Sequence, residues 1–243
     1  MPARYTLHGI FASGPTYKVG LMLSLAGEPF DYVHVNLREG EHKRPEYLAK
    51  QRFGQVPLLE DNSNGRHLCQ SASILEYLAD KTGKFGGATL DERVEAREWV
   101  FWGWDRLTRG IYRTRAAKLG FATFAADVVA HYVAEGQGAL KILDQHLAGR
   151  SFVVGEAPTF ADVDLYGVVA YAPQAEIDLS PFPNLQAWMK RIEALPGYGP
   201  PDGSCRRKAA RPPEPHPSPA RARGRVGKAD RVRGRPPQRA VRA

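Results

Sequence analysis

The sequence predicts an α/β domain followed by an all-helical domain, and three observations carry that expectation. Up to about residue 82, short strand-like segments alternate with helical ones. A break without periodicity, Gly83-Lys84-Phe85-Gly86-Gly87, follows, and beyond it every patterned segment has helical spacing. The chain has 243 residues, 43% of them hydrophobic, which is material for two cored domains. The expected division is a first domain at residues 1–82, a linker at 83–90, a helical domain at 91–200 and a basic tail at 201–243.

In the first domain, Tyr5, Thr6 and Leu7 suit a pleated surface and predict a strand over residues 4–8. Pro15 then opens a helix in which Val19, Met22, Leu23 and Ala26 keep helical spacing, and Gly27 closes it. Ser13 stands just ahead of its N-terminus. Residues 32–37 alternate with Val33, Val35 and Leu37 on one face, a second strand reached by a helical crossover and so expected to run parallel to the first. Pro45 begins a short helix over residues 45–49. A third strand, beginning at Val56-Pro57, turns through residues 61–65 into a fourth over 67–69, and a helix follows over 71–81 that buries Ile74, Leu75 and Leu78.

Proline cannot donate to a strand ladder, so a strand entered through Pro57 leaves the Val56 backbone free for another partner. Gln70 and Ser71 stand at a helix N-terminus, where unpaired N–H groups and the dipole favour an anion. These two features make a small-ligand cradle.

In the helical domain, Val100, Trp104, Leu107 and Ile111 follow a four-three-four spacing, and Val129, Val133, Leu140, Leu143 and Leu147 continue a stripe on the next helix. Thr159 and Asp162 have capping-box spacing ahead of an almost wholly apolar segment at residues 163–172, and a helix with apolar residues on all sides is the mark of a buried central helix. Leu185, Trp188, Met189, Ile192 and Leu195 make a last amphipathic helix.

The net charge of +8 belongs to the tail. Residues 201–243 hold 13 Lys and Arg against 3 Asp and Glu, whereas residues 1–200 hold 21 against 23. That tail is rich in Arg, Pro, Ala and Gly and cannot bury enough apolar surface to fold alone. Two readings stand for it: a basic arm that binds nucleic acid nonspecifically, or the out-of-frame ending of a GC-rich gene. No apolar run reaches the roughly 18 residues of a membrane span, and the N-terminus has no secretory pattern, so no membrane contact and a cytoplasmic location are expected. Cys69 in a strand and Cys205 in the tail predict no disulfide, and neither has metal-ligand neighbours, so no metal is expected.

Five motifs in one order, Ser13-Gly14-Pro15, Gly40-Glu41-His42, Gln55-Val56-Pro57, Gln70-Ser71 and Thr159-x-x-Asp162, resemble the glutathione S-transferase family, most closely its bacterial and theta/delta-like members with an active-site serine. The resemblance covers about residues 4–200. It implies a thioredoxin-like N-terminal domain, a helical C-terminal bundle and a homodimer. It further implies that glutathione is the co-substrate and an electrophilic small molecule its partner in detoxification chemistry. The implied glutathione contacts are Ser13, His42, Gln55, Val56, Pro57, Gln70 and Ser71. Within that set a cis Pro57 lets Val56 pair with the cysteinyl portion, Gln70 and Ser71 hold the γ-glutamyl end, and His42 approaches the glycyl end. Gln70 replaces an acidic residue frequent in the family, removing a charge partner for the glutamyl amino group.

Ser13 is implied as the catalytic residue, donating its hydroxyl to the sulfur. The thiolate is the attacking species, and a free thiol near pKa 8.5 is mostly protonated at neutral pH. Trp99, Trp102, Trp104 and Tyr112 on the fourth helix are aromatics that could line a second-substrate pocket, although such residues are more often core, so only one or two are assigned to it; Phe11, Trp102 and Tyr112 are the candidates. Arg106, Arg109 and Arg113 share a helical face that is either solvated or attracts anionic ligands. The competing function is a noncatalytic binding or assembly module on the same fold.

Overall fold

The structure, a computed structural model, describes residues 3–10 and 12–201; Phe11, Cys205 and the basic tail from residue 202 onward lie outside the described residues. The first part runs β1 (Tyr5–Gly9), α1 (Gly14–Ala26), β2 (Phe30–His34), α2 (Pro45–Leu48), β3 (Leu58–Asp61), β4 (Arg66–Cys69) and α3 (Ser71–Thr82). The rest is helical: α4 (Leu90–Trp102), α5 (Thr108–Lys118), α6 (Ala126–His146), α7 (Phe160–Val169) and α8 (Pro183–Glu193). The strand order is β2-β1-β3-β4, with β1 and β2 parallel and the other pairs antiparallel. This is the mixed sheet of a thioredoxin-like domain, and the parallel pair is the one expected from the helical crossover.

Two strands differ from their sequence-predicted bounds. β2 begins at Phe30 and ends at His34 instead of covering residues 32–37. Asn36 ends it: its side-chain oxygen accepts from the Arg38 and Glu39 backbone N–H groups, an Asx turn that bends the chain off the sheet. β3 begins at Leu58, so Val56 and Pro57 precede the ladder. The peptide between those two is cis.

The helix α1 carries the largest consequence of packing. Its spaced apolar residues suggest one buried face, yet eleven of its thirteen residues are buried, because β1 and α3 contact it on one side and α7 on the other. Lys18 is among them, and its ammonium meets the equally buried Asp164 of α7 at 2.9 Å. Removing an ion from water is costly unless a counter-charge and hydrogen bonds replace the solvent; this pair supplies the counter-charge and one hydrogen bond.

α4 and α5 form a continuous helical stretch interrupted by a π-helical turn at Gly103–Leu107. The extra residue in that turn changes which side chains face inward. Val100, Leu107 and Ile111 are buried as their spacing predicts, but Trp104 is only half-buried. α5 and α6 cross closely at Gly110, where a Cβ would come within 2.4 Å of the Gly136 backbone. The buried part of α6 is Gly136, Ala139, Leu140 and Leu143, followed by Leu147, while Val129 and Val133 are only partly covered.

α7 is buried along its whole length, as expected of the central helix. Its capping box is present: Thr159 Oγ1 accepts from Ala161 N at 3.3 Å, and Asp162 Oδ2 accepts from Thr159 N at 2.8 Å. Asp162 Oδ1 also accepts from Val153 N and from the Trp188 indole N–H of α8. One carboxylate therefore fixes the start of α7, the preceding loop and the last helix. No helix among the described residues is long and apolar enough to cross a membrane.

Candidate active site

A cleft of about 420 Å³ lies where the N-termini of α1 and α3 approach the π turn between α4 and α5. Pro15 and Trp104 form one side of it, and Gln55, Val56, Pro57, Gln70 and Ser71 another. His42 and Lys43, from the short 3-10 turn after β2, close a third side. Six of the sequence-identified glutathione candidates thus line one cavity although they are spread over 30 residues.

Local chemistry explains how each is held. Val56 makes no hydrogen bond among the described residues, because the ladder starts two residues later. The loop ahead of it is supported by Gln51, a buried residue that sequence reasoning passed over. Its Oε1 accepts from Phe53 N and Gln55 N, and its Nε2 donates to Pro57 O. Tyr47 donates its hydroxyl to Gln55 O, and Lys43 donates to Gly54 O at 2.7 Å. Burial pushes the Tyr47 hydroxyl upward, so it remains a donor at neutral pH.

Gln70 has φ +67°, a region that non-glycine residues seldom occupy and that costs on the order of 1–3 kcal/mol. Its side chain donates to Gln55 Oε1, so two candidate ligand contacts steady each other. Ser71, the first residue of α3, is 2% exposed, and its Oγ has no hydrogen-bond partner among the described residues. Buried hydroxyls are normally paired, so this one, on the cleft wall at a positive helix end, is a group with a missing acceptor or donor.

Ser13 occupies the N-cap position of α1 but makes no side-chain capping bond there, and it is half-buried. Next to it, Gly14 meets Tyr112: a Cβ built on Gly14 would lie 1.8 Å from the Tyr112 hydroxyl. Only glycine permits that approach. The Tyr112 hydroxyl donates to Gly167 O at 2.7 Å, and burial raises its pKa well above the usual phenol value. Tyr112 therefore sits against the turn that holds Ser13, tied to α7.

The other second-substrate candidates are placed differently. Phe11 lies outside the described residues. Trp102 is not brought to this cleft; with Trp99, Ile142 and His146 it lines a separate cavity of about 460 Å³ between α4 and α6. Trp102 and Trp104 are two residues apart on a helical stretch and so face opposite sides, and Trp104 takes the position on the cleft wall. Of the tryptophans that the sequence offers for a second-substrate pocket, Trp104 is therefore the one brought to the cleft. Lys43, the neighbour of His42, is a cleft residue that the sequence reading did not single out.

Among the described residues, no group of three or more His, Cys, Asp and Glu side chains is arranged to hold a metal ion. The family model for the glutathione S-transferase N-terminal domain matches residues 3–80, and that for the C-terminal domain matches residues 118–196. Maleylacetoacetate isomerase of Rhizobium meliloti (strain 1021) is 30% identical over 200 residues, covering 79% of this chain and 92% of the isomerase. Disulfide-bond oxidoreductase YfcG of Escherichia coli (strain K12) is 27% identical over 195 residues, covering 78% of this chain and 91% of that protein. Among solved structures, a glutathione S-transferase from Pseudomonas fluorescens Pf-5 superposes with a TM-score of 0.77 at 30% identity, over 82% of this chain and 99% of that one. With both domain models matched, and with the mixed sheet and helical bundle they describe, this chain belongs to the glutathione S-transferase family.

Proposed function

We propose that this protein binds glutathione in the 420 Å³ cleft, lowers the pKa of its thiol, and delivers the thiolate to an electrophilic small molecule from the helical side. The observation that carries this reading is the unpartnered, buried Ser71 hydroxyl at the N-terminus of α3, on the wall of a cleft whose other sides offer peptide-pairing and cationic groups. Residues 1–82 serve as the glutathione-binding domain, residues 83–90 as linker and residues 91–200 as the second-substrate domain.

Within that cleft the γ-glutamyl carboxylate belongs at Ser71 and the α3 N-terminus, with Gln70 and Gln55 beside it. The cysteinyl backbone pairs with Val56 next to Pro57, and the glycyl carboxylate faces His42 and Lys43. The sulfur then lies toward the α1 N-terminus. There the Ser13 hydroxyl, not engaged in capping, donates a hydrogen bond that favours the thiolate, and the helix dipole acts in the same direction. Tyr112, pressed on Gly14, keeps that turn in place.

With an aryl halide, the thiol proton passes to water and the sulfur forms a C–S bond at the halide-bearing carbon. The C–Cl bond then breaks and chloride leaves with its electron pair. The same thiolate supports disulfide or peroxide chemistry, in which the sulfur is oxidised and the second substrate reduced. A cytoplasmic, homodimeric protein fits this role. The exposed Leu90 and Phe101, 72% and 73% accessible, and the half-exposed Phe53 are apolar surface that a second copy would cover.

The test is glutathione conjugation of an aryl halide by the wild type and by Ser13→Ala, alongside the thiol pKa of bound glutathione followed by ultraviolet absorbance. A fall of about 10²–10³ in kcat/KM with an upward thiol pKa shift is expected. An unaltered rate in Ser13→Ala removes Ser13 from the chemistry, and failure to bind glutathione by calorimetry favours the noncatalytic module.

A further inference from the structure

Three arginines of the π turn and α5, Arg106, Arg109 and Arg113, are exposed, and two of them have carboxylate partners: Arg106 pairs with Asp105 at 2.9 Å and Arg109 with Glu135. A fourth, Arg115, is treated in the opposite way. It is 8% exposed and has no carboxylate partner among the described residues. Its Nε donates to the neutral Gln174 side chain at 2.7 Å, its guanidinium carbon lies 4.3 Å from the Tyr171 ring centroid, and its terminal nitrogens have no acceptor among the described residues. Acids on the elements packed against α5 are committed elsewhere, Asp164 to Lys18 and Glu176 to Lys118.

A guanidinium stays charged when buried, so the desolvation it suffers is not relieved by losing a proton. Burial and the neighbouring tyrosine rings leave it short of a counter-charge. Its position gives that shortage a meaning. Arg115 and Tyr112 are three residues apart on α5, hence on one face and about 4.5 Å apart along the axis. Tyr112 touches Gly14 with its hydroxyl. The rings of Tyr112 and Tyr171 meet edge to face at 6.0 Å, and Arg115 lies over the second of them. Arg115 therefore stands one helical turn along α5 from Tyr112, the residue whose hydroxyl is pressed on the α1 turn that carries Ser13.

We propose that Arg115 is a specificity-determining residue that recognises a carboxylate on the second substrate, so that the preferred electrophiles are organic anions. This rests on the reading that glutathione is activated beside Ser13. A carboxylate entering from the helical side accepts from the terminal guanidinium nitrogens, supplying the missing charge while Gln174 and Tyr171 hold the planar group in orientation. The selectivity comes from differential binding: a neutral electrophile of the same shape leaves the guanidinium unpaired.

The experiment compares 4-chloro-3-nitrobenzoate with 4-chloro-3-nitrobenzamide as acceptors of glutathione, in wild type, Arg115→Met and Arg115→Lys, with folding checked by circular dichroism. The ratio of kcat/KM for benzoate over benzamide is expected to fall about tenfold or more in Arg115→Met, mainly through KM, and to recover in part in Arg115→Lys. Equal losses for both compounds in Arg115→Met would assign Arg115 to the packing of Tyr171 and Gln174 and overturn the proposal. If neither compound is turned over, the glutathione reading fails. The anion preference is then read from equilibrium binding of the two compounds, and equal affinity overturns it as well.

Discussion

The N-termini of α1 and α3 and the N-terminus of α7 begin from similar residues and are finished in opposite ways. At α7 a threonine and an aspartate close every available bond, and the aspartate reaches on to Val153 and Trp188. At α1 a serine in the N-cap position makes no capping bond, and at α3 the Gln70–Ser71 pair leaves a buried hydroxyl without a partner. A helix start leaves four N–H groups to satisfy, and capping residues normally satisfy some of them at a gain of about 1 kcal/mol. α7 takes that gain and is sealed in the core. The other two ends forgo it: the Ser13 side chain makes no capping bond, and the Ser71 hydroxyl on the cleft wall has no partner among the described residues. The same residue chemistry thus closes one helix start and leaves two others open, and what separates the cases is whether the bonds close within the chain.

The largest effect that tests this contrast is at the sealed end. Asp162→Ala leaves the N–H groups of Val153, Thr159 and Trp188 buried without their acceptor, and a loss of about 3–5 kcal/mol is expected in urea unfolding. A loss below about 1 kcal/mol would mean that water reaches these donors and that the sealed description is wrong.

Next come two removals of a hydroxyl from the N-cap of a helix. Ser13→Ala is expected to cut kcat/KM by about 10²-fold or more while changing stability by less than about 0.5 kcal/mol. Thr159→Ala is expected to do the reverse, costing about 1 kcal/mol of stability with kcat/KM per folded molecule preserved. If both substitutions lower stability alike, the distinction between sealed and open helix starts collapses. Between them in kind is Ser71→Ala, for which calorimetry should give glutathione binding weaker by about tenfold with kcat little altered.

The contrast also explains what could be read from the sequence. The cleft half of the site is built by short local signals: a proline before a strand and a polar pair at a helix start. Each acts within a few residues of itself, so Val56, Pro57, Gln70 and Ser71 could be read as one cradle before any coordinates, and the family resemblance added His42. The capping box at Thr159 was legible for the same reason. The helical half depends on geometry with no local sign. Trp102 and Trp104 are alike as aromatic candidates, and only packing puts Trp104 on the cleft wall and Trp102 in another cavity. Arg115 looks in sequence like Arg109 or Arg113, and only the packing of Tyr171 and Gln174 around it sets it apart. The end of β2 fell between these cases: the apolar alternation through Leu37 continues a strand pattern that the Asn36 turn cuts short.

The smallest expected effect comes from a charged group that lies outside the cleft and should move stability alone. Glu60 of β3 meets His8 of β1 at 2.9 Å and Lys50 at 2.8 Å. Burial would raise the Glu60 carboxyl, but the Lys50 hydrogen bond and the nearby His8 outweigh it and hold it below its ordinary 4.5. Burial lowers His8 below 6.5, and Glu60 opposes it only in part. Both groups thus have folded-state values below their unfolded ones. The stability each contributes is complete above the unfolded value and disappears as pH falls through the folded value, first for His8 below 6.5 and then for Glu60 below 4.5. His8→Gln keeps a polar side chain beside Glu60 and removes the first of these titrations. Urea unfolding across pH should therefore give a variant whose stability is flatter than the wild type just below 6.5, by less than about 1 kcal/mol in total, and also less steep below 4.5, where Glu60 keeps Lys50 but loses the His8 charge. Parallel profiles in that window would show that His8 does not titrate at a cost to the fold. A changed glutathione affinity would show that the sheet face and the cleft are coupled.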